Sequence, residues 1–118
     1  MDPNLRRKVT DEKINRLVEV VKQLRLQKRE MSAQELATLF YIGSRNNCHK
    51  TALEEDLNFT TASSSRNTDK LSKVHRLGKA GYDLIVKEIE EVSPHRQRLR
   101  LTKKGEDLMT QIKQILYD

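Results

Sequence analysis

Between Thr60 and Lys73 the chain reads TTASSSRNTDKLSK, and nearly every side chain in it is a short hydrogen-bonding group. Thr60, Thr61, Ser63, Ser64, Ser65, Arg66, Asn67, Lys70 and Lys73 suit one kind of chemistry. Arg and Asn can each pair bidentately with a base edge, while hydroxyls and ammonium groups reach phosphate oxygens. A second set, His95, Arg96, Gln97 and Arg98, follows Pro94 and gives a cationic loop of the same chemical character. A Ser/Thr-rich run also reads as a loop or solvated linker, because these side chains compete for backbone hydrogen bonds. Its punctuation favours a helix: no Gly or Pro interrupts it, and Leu71, Val74 and Leu77 resume an apolar stripe directly afterwards.

Other chemistries find little support. Cys48 beside His49 is half a metal site, but no second Cys/His pair stands at zinc spacing, and His75 and His95 are isolated. Cys48 is expected to be a plain surface cysteine, with redox sensing through its thiol as the lesser reading. Gly78 and Gly81 lack the Lys-Ser/Thr of a phosphate loop and the setting of a dinucleotide fold. Glu54, Glu55 and Asp56 crowd one helix as its solvated face. Neither a nucleophile with its base nor a metal cluster is visible, so the chain reads as a non-enzyme with no cofactor.

Composition bounds the partner. In 118 residues, Lys and Arg outnumber Asp and Glu by 23 to 17, with a pI near 9.6, which favours a polyanion. Hydrophobic content of 36% with only 4% aromatics implies a mainly helical domain with an aliphatic core, partly completed by a second subunit. No apolar run is long enough to span a bilayer, and MDPNLRRKVT lacks the hydrophobic segment of a secretory signal. With a single cysteine and no internal disulfide, a cytoplasmic, intracellular location is expected.

The elements that would position these residues follow in order. Residues 1–9 form a basic arm or a merely soluble terminus. Asp11 and Glu12 then precede Ile14, Leu17, Val18, Val21 and Leu24 at helical spacing. Ser32 and Glu35 stand in capping-box spacing, with Leu36 placed to staple onto Met31, before a second helix through Leu39, Phe40 and Ile42. Gly43 and the polar stretch 44–50 end it. Thr51 and Glu54 repeat the capping-box spacing for a third helix, in which Ala52, Leu53 and Leu57 are apolar. Asn58 suits a left-handed stop, and Thr60 suits the cap of the next helix, so residues 51–73 form two helices joined by a very short turn. Gly78 and Gly81 end the second of these. Residues 82–92 read as a strand, Ser93 and Pro94 as a turn, and Leu99 and Leu101 alternate with Arg98 and Arg100 as a second strand, with the tip at residues 94–98. Thr102 opens a last helix with Leu108, Ile112, Ile115 and Leu116 on one face.

This order, mainly α with a small β-hairpin (α+β), resembles a winged helix-turn-helix domain, and the residues resemble the MarR family in a divergent, short form. The resemblance rests on LATLFYIG, on ALEEDLNFTTASSSRNTDKLSK against the pattern Leu-Thr-x-Ala-x-x-Ser-Arg with an Asp-Lys-Leu end, and on LRLTKKG at Leu99 to Gly105. It covers residues 10–118. It implies a dimeric transcriptional regulator that binds palindromic double-stranded DNA, with the helix from Thr60 in the major groove and the hairpin (residues 82–102) in the minor groove. Ser63, Ser65 and Arg66 fall on the recognition segment. The wing lacks the usual Asp-x-Arg pair, with Arg96 as its replacement, and Ser64 stands where the family often has an apolar residue. Dimerisation falls to residues 10–29 and 103–118, through Ile14, Leu17, Val21, Leu108, Ile112, Ile115 and Leu116. No residue pattern indicates a small-molecule effector. Two alternatives remain: Arg66 simply pairing with Asp69 one turn on, and a winged adaptor that docks on polymerase or replication proteins instead of DNA.

Overall fold

The computed structural model describes residues 7–27, 30–45, 47–73, 78–92 and 96–118. Its first helix, α1 (Glu12–Leu24), starts where the Asp11 carboxylate accepts from the Ile14 amide at 3.1 Å. The second, α2 (Ala33–Gly43), starts from the expected capping box: Ser32 Oγ accepts from Glu35 N, and the Glu35 carboxylate accepts from Ser32 N. Leu39 and Ile42 on α2 are fully buried.

A short strand, β1 (Cys48–His49), lies in the polar stretch expected to be a turn. Two residues carry too little periodicity to show in sequence, and only the partner strand defines them. α3 (Lys50–Leu57) follows at once, with His49 as N-cap and no side-chain cap bond. Thr51 therefore does not cap this helix, and Glu54, its expected box partner, turns instead to Lys50 and Ser64. Asn58 takes the left-handed conformation (φ 57, ψ 44) that lets the chain reverse in three residues. Thr60 then caps α4 (Thr61–Leu71) by accepting from Ser63 N at 3.0 Å.

α4 ends at Leu71, short of Gly78, because Ser72 is extended (ψ 172) and the next chain segment claims the end of the helix. Gly81, Tyr82, Asp83 and Leu84 donate their amides to Lys73, Lys70, Ser72 and Leu71 carbonyls at 2.8 to 3.2 Å. This contact is so close that a β-carbon on Gly81 would lie 1.9 Å from the Ser72 oxygen. Val74, His75 and Leu77 lie outside the described residues.

The first wing strand is correspondingly shorter than residues 82–92. β2 (Ile85–Ile89) begins only after Asp83, at φ 58, has turned the chain. β3 (Gln97–Leu101) pairs antiparallel with β2, Lys87 opposite Leu99, and with β1, Cys48 opposite Leu99, so the sheet order is β1-β3-β2. Thr102 caps α5 (Lys103–Tyr117) by accepting from Gly105 N, and donates its own hydroxyl to the Asp83 carbonyl at 2.7 Å. α5 packs along α1, where Gln23 Nε2 donates to Gln111 Oε1 at 2.6 Å and Arg16 donates to the Leu116 carbonyl at 2.8 Å.

The core is aliphatic, as composition implied. Leu39, Ile42, Leu53, Leu71, Leu84, Ile85 and Leu99 are at most 1% exposed. At roughly 1.5–3 kcal/mol of transfer free energy each, they anchor α2, α3, α4, β2 and β3. α3 and α4 each contribute a single member to this group, Leu53 and Leu71 respectively. Polar contacts must complete their seating.

Candidate nucleic-acid interface

Those polar contacts divide α4 into two faces. On the inner face, Ser63 and Ser64 are buried, as are Asn67 and Thr68. Ser63 Oγ and Asn67 Nδ2 both donate to Gln34 Oε1 on α2, at 3.0 and 3.1 Å. Ser64 donates to the Glu54 carboxylate on α3, and Thr68 donates back to the Ser64 carbonyl at 2.8 Å. Three residues expected on the reading surface, Ser63, Ser64 and Asn67, are thus structural. Their period places them against α2 and α3, and their hydrogen bonds are used there. Ser64 occupying an otherwise apolar position is explained: it is fully buried, and the acid it meets needs a donor.

The outer face carries the rest. Thr61 and Arg66 are exposed on it, with Ser65 half-buried beside them; Thr60, its cap, is exposed too, while Lys73, expected within the helix, is exposed two residues beyond its end. Asp69, the alternative partner for Arg66, pairs instead with Lys87 of β2, which also ties the wing to α4. Among the described residues Arg66 makes no ion pair. Lys70 is half-buried, its Nζ 3.5 Å from Glu35 Oε1. Sequence reading missed the partners Gln34, Glu35, Glu54 and Lys87, because nothing local marks a polar side chain whose partner is a helix away.

In the wing, Arg96 is exposed. Gln97 and Arg98 lie within β3, not in the loop, opposite Ile89 and Glu88. Arg98 Nε donates to Glu90 at 3.0 Å, and His49 lies 2.6 Å from the same carboxylate oxygen. Hydrogen bonding from His49 lowers the Glu90 carboxyl, desolvation opposes it, and hydrogen bonding from Arg98 with the two charges leaves it below its ordinary value. Gln97 Oε1 is buried and, among the described residues, has no hydrogen-bond partner; it lines a small polar cavity shared with Thr61 and Ser65. His95 lies outside the described residues.

The two terminal helices behave differently from one another. Leu108 and Ile112 are buried in the protomer's own core, Ile115 and Leu116 are partly buried, and Tyr117 is 77% exposed. On α1, by contrast, Ile14 (60%), Leu17 (54%), Val18 (51%) and Val21 (46%) leave a continuous apolar stripe uncovered. Cys48, expected at the surface, is buried on β1. Burial pushes its thiol up, with only partial compensation from Arg45, which disfavours the reactive thiolate. Among the described residues, no group of His, Cys, Asp and Glu is arranged to hold a metal, and no helix is long and apolar enough to cross a membrane.

Two helices joined by a three-residue reversal, a partly exposed polar second helix and a wing tied to it by an ion pair define a winged helix-turn-helix. No protein-family model matches the chain, and no curated protein matches it. Among solved structures, the S. aureus MepR–DNA complex aligns at a TM-score of 0.67 with 17% identity, over 95% of this chain and 82% of that one. MarR aligns at 0.60 with 15% identity, over 86% and 64%. A MarR-like transcriptional regulator from Thermotoga maritima aligns at 0.59 with 21% identity, over 86% and 68%. The chain therefore has the MarR-type winged-helix fold, and it spans 64% of the length of the MarR chain.

Proposed function

We propose that this protein is a sequence-specific double-stranded DNA-binding transcriptional regulator that acts as a homodimer on a palindromic operator. One observation carries the reading. The outer face of α4 presents Thr61, Ser65 and Arg66, with Lys73 exposed just beyond its end, on a fold shared with MepR, which was solved bound to DNA. Arg66 supplies a fork for a base edge, and Thr61 and Ser65 supply hydroxyls. Lys70 and Lys73 sit toward the flanking phosphates, and Arg96 projects from the wing toward the neighbouring minor groove. Pairing the α1 stripes about a two-fold axis, with the free end of α5 alongside, would set two copies of α4 about 34 Å apart, one helical turn of DNA.

The uncovered α1 stripe also fits the second reading, an adaptor that docks on another protein. Titration of the chain with duplex DNA at several salt concentrations separates the two. A regulator binds with an affinity that falls steeply and log-linearly with salt. An adaptor leaves duplex unbound at low salt while retaining a protein partner.

A further inference from the structure

The contact that seats α4 on α2 has an unused half. Gln34, on the first turn of α2, accepts from both Ser63 Oγ and Asn67 Nδ2 through its single amide oxygen. With Asn67 donating through its amide nitrogen, the Gln34 amide oxygen faces α4 and its nitrogen, with two N–H donors, is directed elsewhere. Gln34 is an exposed residue, and among the described residues its Nε2 has no hydrogen-bond partner. A cation lies close by, paired with the neighbouring acid. Lys70 reaches the same turn of α2, while the neighbouring Glu35 is 4% exposed with both oxygens engaged, one by Lys70 and one by the Ser32 amide.

We propose that Gln34 is a DNA-contacting positioning residue. Its carbonyl oxygen fixes how α4 is rotated, and its amide nitrogen donates to a backbone phosphate on the strand flanking the groove that α4 enters. The inference rests on the DNA-binding reading above and adds a contact outside both the recognition helix and the wing. It also accounts for the burial of Asn67. That side chain acts on DNA through Gln34, so an error in the α4–α2 joint would displace Arg66 from its base.

The test uses the full chain and two labelled duplexes, one selected from a random pool by the wild-type protein and one of unrelated sequence. Gln34→Glu keeps acceptors for Ser63 and Asn67 but replaces the free donor with an anionic oxygen. It should weaken binding to both duplexes about tenfold, a penalty that shrinks as salt rises, with the melting temperature unchanged. Gln34→Met removes the acceptor while keeping the shape, and should reduce the preference for the selected duplex. A merely structural residue would move melting temperature and leave the salt dependence of the Glu penalty flat. Wild-type binding with both variants indistinguishable from it would overturn this inference and leave the DNA-binding reading standing. Absence of duplex binding by the wild type would remove both.

Discussion

Ser63 and Ser64 hold α4 in place, a task that apolar side chains perform in most helices. Ser64 is fully buried and donates to the Glu54 carboxylate, which also accepts from Lys50 at 2.6 Å. A neutral donor to a buried charge typically contributes about 1.5–3 kcal/mol. Ser64→Ala should therefore lower stability by roughly that amount in thermal or urea unfolding, whereas Ser65→Ala, at a half-buried position on the other face, should cost less, about 0.5 kcal/mol. The same triad sets an acid limit. Burial pushes the Glu54 carboxyl up, but hydrogen bonds from Lys50 and Ser64, with the Lys50 charge, more than offset it and leave it below the ordinary carboxylate range. A carboxyl depressed in the folded state stabilises above its unfolded pKa, and that contribution is lost as pH falls through the folded value. Melting temperature should accordingly fall through and below the ordinary carboxylate range, with a shallower decline in Glu54→Gln. At this scale the sequence was only half legible. The hydroxyl run marked α4 as unusual, but its inward and outward residues are chemically alike. Without apolar contrast a period of 3.6 gives no facing, and only the distant acceptors Gln34 and Glu54 decide it.

Elements fared better wherever a single residue dictated the backbone. Asn58 was readable as the stop of α3, since it sits at φ 57, where a β-carbon costs about 1–2 kcal/mol and Asn is among the few residues that tolerate it. Asn58→Ala keeps the β-carbon and loses only the local hydrogen bonding that eases it there, so it should destabilise by less than that, under about 1 kcal/mol, while Asn58→Gly, which removes the β-carbon, should be neutral or stabilising, as read by denaturant midpoint. The strand-to-helix junction LRLTKKG has a similar cause. A β-carbon on Gly105 would lie 2.1 Å from the Leu84 carbonyl oxygen, which accepts the Thr102 amide at 3.0 Å. Gly105→Ala must separate α5 from the entry to β2, and it should lower stability by about 1–3 kcal/mol in the same measurement. The boundaries that sequence misplaced were set by tertiary pairing. β1 exists because β3 offers it a partner, and the first wing strand starts late because residues 81–84 satisfy the end of α4 instead of a ladder. Thr51 lost its capping role because the helix had already started at Lys50.

At the scale of the whole molecule, two amphipathic helices were visible in the sequence, but not which apolar residues the chain would cover for itself. α5 turns Leu108 and Ile112 into the core, leaving the α1 stripe as the larger uncovered surface. The proposed dimer therefore depends on α1. Leu17→Asp should leave the fold intact, shift sedimentation at micromolar concentration from dimer to monomer, and weaken operator binding on the order of 100-fold as two linked half-sites become separate. A wild-type monomer at that concentration would remove the two-fold arrangement. The account as a whole stands on Arg66 facing DNA from α4, and selection from a random duplex pool by wild type and Arg66→Ala tests it most directly. The wild type should enrich a palindromic sequence. The variant should enrich the same sequence with one position per half-site relaxed, at a cost of about 1–3 kcal/mol per lost guanine contact. Enrichment of no sequence by the wild type, or identical profiles from the two proteins, would contradict it.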